Sequence, residues 1–185
     1  MTAAETINYR KQKFYRAFHF VLVSEGGTNN DPVDRGGLTN WGISQKQYPK
    51  LNIENLSLST ARDIYYTDYW LRNKCDQMNP DLGVIVFDSS VNCGQASGAK
   101  WVQRACNKLG SDLIEDGVIG SKTLHELYKY SQFDIQELVL ASRLRRYVNL
   151  LSSHPKQVRF IKGWISRVSN LLEFVSSSNV ESFKN

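Results

Sequence analysis

Apolar residues recur at three- and four-residue spacing along most of this chain, and this periodicity limits the fold more than any other feature. In the first segment they fall at i, i+3, i+4, i+7 and i+8, which predicts an α-helix from about residue 9 to residue 24 with one face in the core. The residues of that face are Phe14, Ala17, Phe18, Val21 and Leu22. Gly26-Gly27 is expected to end the helix, because glycine readily adopts the left-handed conformation of a helix terminus.

Further segments carry the same spacing, at residues 57–75, 82–93, 96–109, 121–130, 134–151 and 156–176. The segment 82–93 is apolar enough to be the central helix, and the last one carries an apolar stripe of heptad spacing. That stripe comprises Val158, Ile161, Ile165, Val168, Leu172 and Val175. Residues 28–43 are rich in turn formers, which predicts a short hairpin with Leu38–Ile43 as one strand. We expect a mainly α-helical fold with a small β-hairpin after the first helix.

The composition supports a packed core and a negatively charged partner. Of the 185 residues, 41% are hydrophobic and 22% are charged, which excludes a disordered chain. No apolar run approaches the roughly 20 residues of a membrane-spanning helix, and Thr2–Lys13 has no secretion-signal pattern, so we expect cytoplasmic synthesis and no integral membrane association. The net charge of +5 favours nucleic acid, a membrane surface or an acidic cell-wall polymer, and charge alone does not choose among them.

Neither cysteine nor histidine forms a pattern typical of a metal site. Cys75, Cys93 and Cys106 are scattered, so we expect buried free thiols rather than disulfides. The histidines are isolated and none has HExxH spacing. We therefore expect no metal and no cofactor.

Glu25 is the candidate for acid catalysis. It lies at i+3 from Leu22 and i+4 from Val21, so it shares the apolar face of the first helix, at the negative end of the helix dipole. Partial burial and the dipole both disfavour a charged carboxylate, so its pKa is expected to rise, as a general acid requires. Asp31 and Asp34 are candidates for a second carboxylate, and the hydroxyl of Thr39 could approach the same place. The alternative is that Glu25 is a solvated helix end and both aspartates are ordinary turn formers.

The string from Ser24 to Ile43, SEGGTNNDPVDRGGLTNWGI, closely resembles the glutamate–glycine–glycine motif of glycoside hydrolase family 108, the N-acetylmuramidases of phage-type endolysins. This resemblance implies a lysozyme-like helical fold that cleaves peptidoglycan glycan strands, with Glu25 as the catalytic acid. The order Glu25, Asp34, Thr39 is also similar to the catalytic run of bacteriophage lysozymes, although the last gap is one residue shorter here. Thr28 departs from the tyrosine common in the family, which leaves substrate preference open.

Later motifs extend the resemblance and divide the chain. Residues 69–70 and 88–94 resemble the same catalytic half, and residues 116–120 resemble a peptidoglycan-binding half. The implied division is a catalytic half at 8–95, a peptidoglycan-binding half at 96–176 and a loose tail at 177–185. Candidate substrate contacts are Asn40, Trp41, Tyr69, Trp70, Asn92 and Gln95. Arg143, Arg145 and Arg146 form a basic cluster, read either as a solvated helix face or as a contact to the anionic wall.

These features predict a cofactor-free, monomeric endo-muramidase that binds glycan strands and not nucleic acid. The alternatives are a lytic transglycosylase, a non-catalytic wall-binding adaptor and a basic nucleic-acid binder. The chain also resembles small muramidases without a secretion signal that let a protein toxin cross the wall. That resemblance implies action in the periplasm after non-classical release.

Overall fold

The computed structural model describes residues 2–25 and 38–182, and within these ranges the chain is mainly α-helical. Its α-helices are α1 (Ala3–Glu25), α2 (Leu58–Ile64), α3 (Pro80–Cys93), α4 (Ser97–Lys108), α5 (Ser121–Leu127), α6 (Gln132–Ser153) and α7 (Ile161–Ser182). Strands β1 (Thr39–Asn40) and β2 (Ile43–Ser44) form a small antiparallel sheet. The predicted mainly α-helical fold with a small hairpin after the first helix is confirmed.

Helix α3 is the centre of the molecule, as its apolar sequence predicts. Every residue from 81 to 90 is buried, and α1, α4, α6 and α7 all pack on this helix. Its first turn is capped by Asn79, whose side chain accepts a hydrogen bond from the Asp81 amide at 3.0 Å. Gly98 of α4 lies so close that a β-carbon there would stand 2.4 Å from the Val86 carbonyl oxygen. A glycine is therefore needed where α4 crosses α3.

Helices α3 and α7 run antiparallel, and arginines fix their register. Arg16 of α1 bonds Asp81 at 2.9 Å, near the start of α3, and the Phe174 carbonyl at 3.2 Å in α7. Two turns further along α3, Asp88 pairs with Arg167, which lies two turns earlier in α7. The two contacts pin α7 along the central helix.

The hairpin differs from its prediction. Leu38–Ile43 is not one strand, because Trp41 and Gly42 have φ angles of 53° and 76° and turn the chain between β1 and β2. Two consecutive positive φ angles are typical of the type I′ turn, whose twist matches that of paired strands. Asn40 pairs with Ile43 across the turn.

The heptad stripe predicted for α7 is only half correct. Val168 and Val175 are buried, but Val158, Ile165 and Leu172 are exposed. The face of α7 that is actually buried lies about 50° around the helix from the predicted stripe, on the side of Trp164 and Leu171, at 100° per residue. Stacking of Trp164 on Tyr147, with ring centroids 5.0 Å apart, and the ion pair of Arg167 turn the helix this way. The helix also continues to Ser182, whereas its spacing predicted an end near Ser176.

The segment predicted as one helix over residues 57–75 is broken into three pieces. Helix α2 passes directly into a π-helix, Tyr65–Leu71, and a 3₁₀ turn, Cys75–Gln77, follows Lys74 in the left-handed conformation. A second 3₁₀ turn, Pro155–Phe160, precedes α7. Hydrophobic spacing does not distinguish a π-helical turn from an α-helical one over so short a length.

The three cysteines are free and buried, as predicted. Burial raises the pKa of each thiol, to about 11 for Cys106, so none is activated as a nucleophile. No helix in the described part of the chain has the length and apolar character needed to cross a bilayer.

Candidate active site

Glu25 is the last residue of α1, at the position where the spacing of Phe18 and Val21 continues. Its side chain lies outside the described part of the structure, as do residues 26–37 with both candidate second carboxylates, Asp31 and Asp34. The described elements that carry the remaining predicted site residues are the hairpin, the π-helix and the corner between α3 and α4.

Tyr65 of the π-helix connects α1 to the hairpin. Its ring lies 5.6 Å from that of Phe18, and its hydroxyl donates a hydrogen bond to the Trp41 carbonyl oxygen at 3.1 Å. Glu25 follows Phe18 by seven residues, or about 10 Å along the helix axis. One buried tyrosine thus ties the helix that ends in Glu25 to the hairpin that carries Thr39. Sequence reasoning missed this role, since Tyr65 was only one of several tyrosines in a helical segment.

The hairpin turn is held by side chains of its own. The Trp41 indole N–H donates to the Leu56 carbonyl at 3.0 Å, and Asn40 Nδ2 donates to the Ile53 carbonyl at 3.1 Å. These bonds maintain the left-handed conformation of Trp41, which costs energy in any residue but glycine. Thr39, at the start of β1, and Trp41 are both half-buried. Asn40 therefore supports the hairpin, and Trp41 keeps only part of its ring surface for a ligand.

Tyr69 and Trp70 are core residues. Trp70 is 0% exposed and Tyr69 is 4% exposed, so neither ring has a face open to a sugar. The Trp70 ring packs edge-on against Phe14 and Phe87, and the Tyr69 hydroxyl accepts a hydrogen bond from Gln47. The prediction that these two rings contact the substrate is wrong. From sequence alone, such aromatic residues are equally consistent with sugar stacking and with core packing, and only their burial distinguishes the two.

The corner between α3 and α4 brings Asn92 and Gln95 together. Asn73, which follows the π-helix, donates from Nδ2 to the Tyr69 carbonyl at 2.7 Å and to the Gln95 carbonyl at 3.4 Å. The corner is therefore connected to the hairpin through the π-helix. Both predicted residues are half-buried and reach the surface of the corner.

The orientation of the Asn92 amide is fixed from inside the protein. Its Oδ1 accepts hydrogen bonds from the Tyr147 hydroxyl at 2.9 Å and from Arg143 Nη2 at 3.3 Å. Arginine can only donate, so Oδ1 faces inward and Nδ2 is the outward group. No acceptor among the described residues lies within hydrogen-bonding distance of that Nδ2. Burial raises the pKa of Tyr147 to about 12, so its hydroxyl stays protonated.

A buried charge cluster lies behind Asn92. Asp88 Oδ2 contacts Arg143 Nη1 at 2.5 Å, and its Oδ1 accepts from Arg167 Nε and Nη2 at 2.9 and 2.7 Å. Burial lowers the pKa of Arg143, but attraction to Asp88 and the hydrogen bond to the Tyr147 hydroxyl outweigh this effect and raise the pKa overall. An aspartate within the apolar run of α3 is the signal that could have revealed the cluster, because a buried charge needs a partner.

Arg143 corrects the predicted basic cluster. Its side chain is 0% exposed, so it belongs to the buried ion pairs and not to a solvated or wall-binding face. Arg145 and Arg146 are exposed, as predicted. In the described ranges, no three histidine, cysteine, aspartate or glutamate residues come together as a metal-binding group.

The family model described as glycosyl hydrolase 108 matches residues 18–94, and a second, described as a predicted peptidoglycan domain, matches residues 97–169. The solved structure of SagA from Brucella abortus is 30% identical, with a TM-score of 0.75; the match covers 90% of this chain and 95% of SagA. The chain belongs to the glycosyl hydrolase 108 family. No curated protein matches the sequence.

Membership of the glycosyl hydrolase 108 family establishes a glycoside hydrolase with a lysozyme-like fold. The second match establishes peptidoglycan as its partner and identifies a peptidoglycan hydrolase. The glycosyl hydrolase 108 region contains the end of α1, the hairpin, the π-helix and α3. The two matched regions meet at the corner that holds Asn92 and Gln95.

Proposed function

We propose that this protein is an endo-N-acetylmuramidase that hydrolyses the β-1,4 bond between N-acetylmuramic acid and N-acetylglucosamine. The observation that carries the proposal is that the glycosyl hydrolase 108 region begins in α1, whose last residue is Glu25, and ends at a peptidoglycan-binding region. The Phe18–Tyr65–Trp41 contacts support it further, because they tie that helix to the hairpin that carries Thr39.

In the proposed reaction, Glu25 protonates the glycosidic oxygen that leaves with N-acetylglucosamine. Water attacks C1 of N-acetylmuramic acid, and a carboxylate accepts the proton of that water and stabilises the positive charge on the sugar ring. Asp34 is the proposed second carboxylate, with Asp31 as its alternative, and Thr39 would help to position the water. Asn92, Gln95 and the exposed part of Trp41 would bind the sugars.

The first prediction tests the acid. Glu25→Gln keeps the size of the side chain but removes the proton that it donates, so clearing of purified sacculi should fall by about 10²–10⁴-fold. Sacculus pull-down should persist, because binding does not need that proton. The control is Glu137→Gln, the same change at an exposed site on α6. Wild-type clearing by Glu25→Gln would reject Glu25 as the acid.

Mass spectrometry of the products distinguishes hydrolysis from transglycosylation. Hydrolysis yields reducing N-acetylmuramic acid ends, whereas a lytic transglycosylase needs only one acid/base and yields anhydro ends. We expect reducing ends. Predominantly anhydro products would contradict the proposed role of the second carboxylate.

We propose that the cut is made in the periplasm and opens the wall for a protein toxin. The support is the resemblance to small muramidases that serve toxin export. Replacing the native gene by the Glu25→Gln form should retain the exported protein inside the wall while its synthesis continues. Unchanged export would contradict this use.

A further inference from the structure

A groove between α4 and α6 lies outside the candidate active site. It has a volume of about 500 Å³, within the range of ligand pockets. One face of each helix lines it, as the three- and four-residue spacing of the lining residues shows. The α6 side extends from Ser142 to Ser153, which is about 16 Å of helix. Its shape suits an extended ligand.

The walls of the groove carry positive charge. Lys100, Arg145 and Arg146 are exposed along it, and none forms an ion pair with another described residue. Arg104 also lines the groove, but its guanidinium is bound to Glu115 at 2.7 Å. The free cations therefore come from both helices and face the same space.

The acidic groups nearby have other hydrogen-bond partners and, among the described residues, form no ion pair within 4 Å with these cations. The carboxylate of Asp116, which attracts Lys100, is bound by Gln103 Nε2 at 2.7 Å and the Val118 amide at 2.8 Å. Glu115 is bound to Arg104. The floor contains Trp101, which is 5% exposed, and the half-buried Leu150. Together these features suit a ligand with several carboxylates and short apolar groups.

The groove begins next to the corner between α3 and α4. Ala96 and Ser97 line its first part, and the Ser97 hydroxyl donates to the Cys93 carbonyl at 2.7 Å. Asn92, a proposed sugar contact, is one helical turn of sequence away. A substituent on a sugar bound at the corner could therefore extend into the groove.

We propose that the groove between α4 and α6 binds the peptide stem of peptidoglycan through its carboxylates. The inference rests on the proposed function for the glycan at the corner. Lys100, Arg145 and Arg146 pair with the carboxylates, and the alanyl methyl groups lie over the half-buried Leu150. Nothing is cleaved in this site, so its role is to select and hold the substrate.

The test uses the full chain and a peptide with no glycosidic bond. N-acetylated L-alanyl-γ-D-glutamyl-meso-diaminopimelyl-D-alanine is titrated into the protein by calorimetry, and NMR follows the methyl signals of Leu150. Lys100→Gln/Arg145→Gln/Arg146→Gln should weaken binding by about tenfold, the scale expected for losing a few partly exposed ion pairs. Amidation of the peptide carboxylates should have the same effect, and the wild-type affinity should fall with salt.

The matched control removes equal charge elsewhere. Lys108→Gln/Lys156→Gln/Lys162→Gln changes three lysines that do not line the groove, and its affinity should equal that of the wild type. Equal loss in both variants would overturn the proposal in favour of general charge attraction. It would also be overturned if peptide-free glycan or single-stranded DNA bound the same residues more tightly than the peptide.

The result is separable from that of the proposed catalysis. Peptide binding without cleavage of sacculi would reject the proposed muramidase activity and support peptide binding in the groove. Cleavage without peptide binding would do the reverse. Thermal unfolding of both triple variants should match that of the wild type, because none of the changed side chains is buried.

Discussion

At the scale of single residues, Asn92 shows how a buried network sets the chemistry of a surface group. Asp88 orients Arg143, and Arg143 and Tyr147 together hold Oδ1 of Asn92 inward. The outward group is consequently an N–H donor rather than a carbonyl acceptor. A donor at that corner suits the carbonyl oxygen of an N-acetyl group.

The second prediction concerns this donor. Asn92→Asp keeps an acceptor facing Arg143 but replaces the outward donor by a second acceptor, so kcat/KM on sacculi should fall by about tenfold, the value of one oriented hydrogen bond. Stability should be preserved, because Arg143 gains a charged partner. Asn170→Asp, at an exposed site on α7, is the matched control. Full activity in a folded Asn92→Asp protein would remove Asn92 from the substrate contacts.

At the scale of elements, the turn at Asp116–Gly120 was predicted from sequence, and its packing explains why it needs a glycine. Gly117 has a φ of 82°, and a β-carbon there would stand 2.9 Å from that of Ala96. Gln103 of α4 holds the same turn, since its Oε1 accepts from the Gly117 amide at 2.9 Å. The turn therefore packs directly on the start of α4, beside the groove.

The third prediction compares the two glycines of this turn. Gly117→Ala should lower the free energy of unfolding by at least about 1–2 kcal/mol, because alanine is strained at positive φ, and the contact with Ala96 adds to the loss. Gly120 has a φ of −90°, and a β-carbon there would have no other atom within 4 Å, so Gly120→Ala should change stability by less than about 0.5 kcal/mol. Urea unfolding measures both, and equal losses would contradict the packing argument.

A secondary-structure element could be predicted from sequence where the local spacing of its apolar residues determines both its type and its buried face. The apolar run of α3 and the amphipathic faces of α1 and α4 depend on 3.6-residue spacing, which is visible in the chain itself. The rotation of α7 depends on Trp164 meeting Tyr147 and on Arg167 meeting Asp88, contacts between residues distant in sequence. The same limit explains why Trp70 and Arg143 were misplaced, since burial is decided by the partner element.

At the scale of the whole molecule, the two family regions share one core. Asp88 lies in the glycosyl hydrolase region, while Arg143 and Arg167 lie in the peptidoglycan region. Helix α3 belongs to the first region but packs against α4 and α6 of the second region and against α7, which begins in it. Separating the regions near Gly94 would expose a helix that is buried on every side and would part Asp88 from Arg143 and Arg167.

The fourth prediction is that the chain unfolds as a single unit that depends on Asp88. Asp88→Asn leaves the buried guanidinium of Arg143 without its carboxylate and removes the Asp88 ion pair of Arg167, so the free energy of unfolding should fall by about 3–5 kcal/mol. Because the cluster joins both regions, circular dichroism and tryptophan fluorescence should report one shifted transition. The control is Asp63→Asn, which removes the exposed ion pair with Arg62 and should cost less than about 1 kcal/mol. Two separate transitions, or a shift in only one probe, would show that the regions are independent domains and that the cluster does not couple them.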